Sequence, residues 1–140
     1  MATAASSGYK RKEPPPRQLT QSQNMLRPGT AKKVSIHLNE DTVATTDFLY
    51  NEIFSFLYAR GVAGATLLRP QAGFGSHHRV HDAEEPGGTH DHMPVRIEFI
   101  ESAEVVDEIM PELCTLVSDG LVEAQDTVIY RIASAGQTMQ

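Results

Sequence analysis

The sequence predicts an α+β domain built as strand–helix–strand followed by strand–helix–strand: a split βαβ plan with a four-stranded antiparallel sheet and both helices on one face. Three observations carry that reading. Val34, Ile36 and Leu38 alternate with Ser35, His37 and Asn39, and Val95, Ile97 and Phe99 alternate with Arg96, Glu98 and Ile100, the period of half-buried strands. Leu49, Ile53, Phe56 and Leu57 recur at helical spacing, as do Val105, Val106, Ile109, Met110, Leu113, Leu116 and Val117. Between the two halves lies the stretch from Gly61 to His92, which holds five of the six histidines and few apolar residues after Phe74.

In chain order, residues 1–30 are poor in apolar side chains and contain Pro14-Pro15-Pro16, so they are expected to form a disordered basic tail. Order is expected from Lys33, with the first strand ending at the polar cluster Asn39-Glu40-Asp41. Thr46 or Asp47 can cap the first helix, and Gly61 can end it in a left-handed conformation. A second strand is expected over Ala65 to Arg69. A glycine turn at Gly73 and Gly75 then opens a long loop, and Pro94 admits the third strand. Ser102 is placed to cap the second helix, Pro111 predicts a kink or break in it, and Gly120 follows its end. Leu121 to Glu123 and Thr127 to Ile132 read as short extended segments around Asp126, and residues 134–140 as a frayed end. The ordered domain is therefore expected over 31–133, with 72–93 as an insertion. The sheet face opposite the helices still carries apolar side chains, so association through it is expected.

The length of 140 residues favours one domain, and 40% hydrophobic content suffices for a small core. The net charge of −6 conceals an asymmetry: residues 1–33 carry seven bases against Glu13 alone, a net +6, and the remainder carries −12. An acidic body disfavours nucleic acid as the main partner. The basic segment could meet an anionic surface or the acidic body itself. No apolar stretch suggests a membrane helix or a signal peptide, and the single cysteine, Cys114, excludes an intrachain disulfide; the expected location is cytoplasmic.

Gly73-Phe74-Gly75 allows backbone amides to approach an anion, and Arg69 and Arg79 bracket it with guanidinium groups suited to phosphate. The pattern is neither a P-loop nor a dinucleotide fingerprint. His77, His78 and His81 form one cluster and His90 and His92 flank Asp91; with nearby carboxylates they could hold a divalent metal. An enzyme is not expected. Cys114 falls beside the presumed core stripe of the second helix and is expected as a small core residue, not a nucleophile; no serine lies in a nucleophile elbow, and the carboxylates are scattered.

The segments Ala31-Lys32-Lys33-Val34-Ser35-Ile36-His37-Leu38, Arg60-Gly61-Val62-Ala63-Gly64-Ala65-Thr66, Ala72-Gly73-Phe74-Gly75 with the following His81, and Ser118-Asp119-Gly120-Leu121-Val122 together resemble the PII-like proteins of domain of unknown function 190. The resemblance covers about residues 31–132 and is most specific from Gly64-Ala65-Thr66 to the Gly73-Phe74-Gly75 triplet. It implies a ferredoxin-like βαββαβ fold in a homotrimer, with Ala72 to Met93 in the place of the mobile T-loop of PII signalling proteins. It also implies a small effector, an adenine nucleotide, bound in clefts between subunits. The loop would then dock on a membrane transporter or an enzyme. By position, Arg69, Gly73, Phe74, Gly75, Arg79 and His81 are the expected ligand contacts, with Arg131 reaching a neighbouring cleft. No tyrosine lies between Ala72 and Met93, so the PII tyrosine-modification pattern is absent. His77, His78, His90 and His92 lie outside the resembling motif. A trimer binding a divalent metal through His77, His78, His81, His90 and His92 is the alternative expectation.

Overall fold

The structure of the chain, a computed structural model, describes residues 26–74, 81–82 and 93–133, with only the backbone of His81 and Asp82. Its elements are β1 (Gly29–Asn39), α1 (Leu49–Ala59), β2 (Thr66–Leu68), β3 (Ala72–Gly73), β4 (His81–Asp82), β5 (Pro94–Glu101), α2 (Ala103–Leu116) and β6 (Leu121–Ile129). One sheet has the order β2-β5-β1-β6 with every neighbouring pair antiparallel, while β3 and β4 pair separately as a small ribbon. This is the predicted ferredoxin-like arrangement, with the ribbon inserted in the chain between β2 and β5.

The alternation in β1 and β5 decides which face is buried. Val34 pairs with Phe99, Ile36 with Ile97 and Leu38 with Val95, placing all six on the helix side. A slip of one residue would turn that whole set to solvent, so packing fixes the register. Leu49, Ile53 and Leu57 of α1, with Val106, Ile109 and Leu113 of α2, close the core over the sheet. Ser102 caps α2 as expected, its hydroxyl accepting from Val105 N at 3.3 Å. Glu101, buried at the end of β5, accepts from Ala63 N at 2.7 Å and from Ser102 N at 3.2 Å. One carboxylate thus ties the α1–β2 connection to the start of α2.

Several local expectations are corrected. β1 starts at Gly29, earlier than Lys33, because Gly29 and Thr30 pair with Ile129 and Val128; ladder bonds need no apolar alternation. The expected tail lies outside the described residues up to 25, as does the expected frayed end from 134 onward. Neither Thr46 nor Asp47 caps α1. The Leu49 amide donates to the Thr42 carbonyl at 2.7 Å, and Asp47 Oδ1 accepts from Phe48 N at 2.7 Å instead. α2 passes through Pro111 as one helix. The amide that proline lacks would face Asp107, an exposed position where solvent can satisfy the carbonyl. Cys114 is exposed, not a core residue, since one step of about 100° from fully buried Leu113 turns it outward. The two segments around Asp126 are one strand, and Asp126 pairs across it with Lys32, whose Nζ lies 2.5 Å from Oδ1.

The open sheet face differs from expectation in its centre. There Glu98 accepts from Arg96 Nε at 3.0 Å and Ser35 Oγ at 3.4 Å, with Lys33 Nζ at 3.7 Å. The apolar side chains Leu68, Ile100 and Leu121 stand exposed around that polar patch. Among the described residues no helix is long and apolar enough to cross a membrane.

Candidate functional site

The sheet register lays four side chains in a row across the open face. Leu68 of β2 pairs with Arg96 of β5, Arg96 with His37 of β1, and His37 with Leu121 of β6. Antiparallel partners project to the same side, so these four residues form one floor. Above one edge rise Arg69 and Pro70, which leave β2, and Ala72 and Phe74 of the insertion; Asp119 and Gly120, between α2 and β6, close the other edge. They enclose a cavity of about 640 Å³. Such a volume falls within the usual range for small-molecule sites, roughly 300–1,000 Å³.

Two guanidinium groups give the cavity its cationic side, and the His37 imidazole stands beside them. Arg96 is held by Glu98, Arg69 Nε donates to Glu40 Oε1 at 2.7 Å, and His37 Nε2 lies 3.2 Å from Glu123 Oε1. A guanidinium carries five N–H donors, so one bond through Nε orients it and leaves capacity to grip an anion. Phe74, 62% exposed, presents an aromatic face in the cavity wall. Both ends of the insertion are anchored beside it. Glu40 N donates to Met93 O at 2.8 Å, and Gly73 packs so closely that an added Cβ would stand 2.9 Å from Pro94 Cγ.

The sequence-based site is thus brought together in part. Arg69 and Phe74 line the cavity, and Gly73 seats its root. Gly73 belongs to β3 and is not the expected turn; its lack of a side chain serves close packing on Pro94. His81 meets Gly73 through the β4 backbone, its side chain being outside the description. Gly75, Arg79, His77, His78, His90 and His92 lie outside the described residues. The expected metal cluster cannot be placed among the described residues for the same reason. Arg131 is exposed beyond the far end of β6, nearly the whole strand away from Leu121, and does not join this cavity within one chain. Sequence reasoning missed Arg96 and His37. Both stand on the solvent phase of their strands, and only the register that aligns them reveals a shared row.

Residues 31–129 match the family described as DUF190, Uncharacterized ACR. The chain belongs to this family. Its fold is shared with solved PII-like proteins. CPII from Thiomonas intermedia K12, a nitrogen regulatory PII-like protein solved with ADP, AMP and bicarbonate, is 19% identical, and the match covers 76% of this chain and 94% of that one with a TM-score of 0.56. The apo form of CPII is 17% identical over 76% and 98% of the two chains, TM-score 0.52. A PII-like signaling protein from Thermus thermophilus is 16% identical over 73% and 91%, TM-score 0.55. At these identities the likeness speaks for the fold. The DUF190 chain therefore has a PII-like framework, with its cavity at the root of the insertion.

Proposed function

We propose that this DUF190 chain is a PII-like regulatory protein that binds a small anionic effector, an adenine nucleotide, and signals through the 72–93 insertion. The observation that carries the reading is the position of the cavity. Its floor is the strand-paired row of the sheet, and its edge is the root of the insertion, with Arg69 and Phe74 supplied by that edge. A ligand there touches both the core and the segment that would carry the signal. Binding can shift the insertion only by interacting differently with its two states, and contact with Arg69 and Phe74 provides such a difference. The solved likeness between this chain and CPII, which holds ADP and AMP, supports an adenine nucleotide as the effector. On this reading the protein is a homotrimer, a second subunit completes each cleft, and the insertion docks on a transporter or enzyme. Regulation, not catalysis, is its role.

Calorimetric titration with ATP, ADP, AMP and cyclic AMP tests the proposal. Saturable binding near one site per subunit is expected, lost in Gly73→Val and weakened in Arg79→Ala, with the sedimenting mass that of a trimer. No binding by any of the four nucleotides would overturn the adenine-nucleotide reading. Binding that survives Gly73→Val unchanged would remove the site from this cavity.

A further inference from the structure

The layer opposite the open sheet face has its own chemistry. α1 and α2 carry Glu52, Glu104, Asp107, Glu108 and Glu112 and no base. Glu104, Glu108 and Glu112 recur every four residues and are exposed, so they make one stripe of like charge along α2. Neither helix has a base in its last turn to meet the negative end of its dipole. On the outer side of this helix pair runs a groove of about 850 Å³, with Asp47, Glu52 and Glu112 among its lining residues. Phe56 and Arg60 form part of its wall, the guanidinium 5.1 Å from the ring centroid and paired with Glu112. Arg60 Nε is buried without an acceptor among the described residues. The groove thus sets three carboxylates, each already holding one local partner, against one base in a largely apolar lining, with an aromatic patch and, among the described residues, one donor lacking an acceptor.

The same chain contains a segment of complementary chemistry. Residues 9–17 read Tyr-Lys-Arg-Lys-Glu-Pro-Pro-Pro-Arg, four bases against one acid. Prolines have no N–H to satisfy and favour an extended backbone whose carbonyls stay available as acceptors. Arg17 precedes the first residue of β1, Gly29, by twelve positions, which can span up to ~40 Å. Lys32 of β1 pairs with Glu101, next to the start of α2, and the 14 residues of α2 extend only ~21 Å, so that span covers the length of the helix.

We propose that the Lys10–Arg17 segment of this chain docks along the groove between α1 and α2, its bases on the Glu52, Glu108 and Glu112 side and its proline carbonyls toward Arg60. The contact lies on the helical layer, so it stands or falls independently of the effector cavity. It relieves the like-charge stripe and leaves the open sheet face and the insertion accessible. Being electrostatic and exposed, it weakens with salt.

Zero-length carbodiimide cross-linking of the full chain, followed by peptide mass spectrometry, tests this. An equal mixture of ¹⁴N and ¹⁵N chains separates same-chain pairs from pairs between copies. Lys10 and Lys12 are expected to couple to Glu52, Glu108 or Glu112 within one isotope. The yield should fall several-fold at about 0.5 M salt, where the Debye length is only ~4 Å. It should fall likewise in Arg11→Gln/Arg17→Gln, which keeps both reactive lysines and alters nothing in the folded elements. Isotopically mixed pairs would overturn the same-chain assignment in favour of a second copy. Coupling spread equally over Glu40, Glu123 and the helical acids, or unaffected by salt and by the arginine substitutions, would overturn the docking. A full chain that sediments with anionic vesicles while its cross-links vanish would assign the segment to a membrane surface instead.

Discussion

Gly120 offers the sharpest test of how the cavity is built. Its φ of 148° belongs to a region that side chains rarely enter, and an added Cβ would press directly on the His37 carbonyl oxygen while standing 3.3 Å from Val117 Cγ1. His37 cannot step aside, because β1 is paired there with Arg96 on one side and Leu121 on the other. The expected cost of Gly120→Ala combines backbone strain of about 1–3 kcal/mol with overpacking of similar size, together about 2–6 kcal/mol. Against a usual total of about 5–15 kcal/mol this is a large fraction. At about 4–8 °C per kcal/mol for a domain of this size, Tm should fall by at least roughly 8 °C. Gly64→Ala is the control: nothing lies within 4 Å of its added Cβ, and loss of unfolded-state freedom should leave the protein unchanged or about 0.4–1 kcal/mol more stable. Urea unfolding of both variants, with equal m-values, gives the comparison. A Gly120→Ala protein within about 0.5 kcal/mol of wild type would refute the claim that a rigid β1 carbonyl limits this turn.

Three further outcomes follow from particular contacts. Arg96→Ala removes one charged hydrogen-bonding partner from the cavity floor at a half-exposed position, so nucleotide affinity should drop about 10-fold or more in calorimetry while Tm barely moves. Glu101→Ala leaves the exposed Ala63 and half-buried Ser102 amides without the acceptor that the buried Glu101 carboxylate supplies, and should lower stability by about 1–3 kcal/mol in urea unfolding; a change below about 0.5 kcal/mol would remove Glu101 from the supports of the α1–β2 connection. The hydrogen bond to Asp126, then the charges of Asp126 and Asp107, hold the Lys32 ammonium above its ordinary pKa of 10.5. Its contribution to stability is therefore present below about pH 10.5 and lost as pH rises through the folded value. The pair is exposed and screened, so the effect is small, and Lys32→Met should flatten the alkaline limb of a urea-midpoint profile.

The fold was legible because two central strands and two helices each repeat their apolar residues with the right period. Val34-Ile36-Leu38 and Val95-Ile97-Phe99 name the buried face directly, and the structure pairs those very residues. What the sequence did not disclose depends on long-range partners. Asp126 looks like an interruption until Lys32 stands opposite it, and Gly73 looks like a turn residue until Pro94 stands against it. His37 and Arg96 look like solvated side chains until antiparallel pairing sets them side by side. Arg69, expected from the glycine-rich motif and the resemblance, and Phe74, expected from the resemblance, both line the cavity, since the root of an insertion draws on neighbours in sequence. Cys114 was misplaced because a helical stripe has an edge, and one residue's rotation decides which side of it a small side chain takes.

Glu40 is where the anchoring of the insertion and the cationic side of the cavity meet. Its amide holds Met93, the last residue before β5, and its carboxylate holds Arg69, which leads from β2 toward β3. If an anionic effector uses Arg69, it must compete with that carboxylate for the guanidinium. Glu40→Gln keeps the size and the backbone bond but replaces a charged acceptor with a neutral one. The Glu40–Arg69 pair is partly exposed, 18% and 55% at the two side chains, so its worth is of the order of 0–1 kcal/mol. Removing that competition should tighten nucleotide binding about two- to fivefold. Calorimetry with the same nucleotide on wild type, Glu40→Gln and Arg69→Ala resolves the point. Tighter binding in the first variant and weaker in the second would make Arg69 the shared partner of the effector and the anchor. Weaker binding in both would mean that Glu40 positions Arg69 for the ligand, and the competition argument would fail.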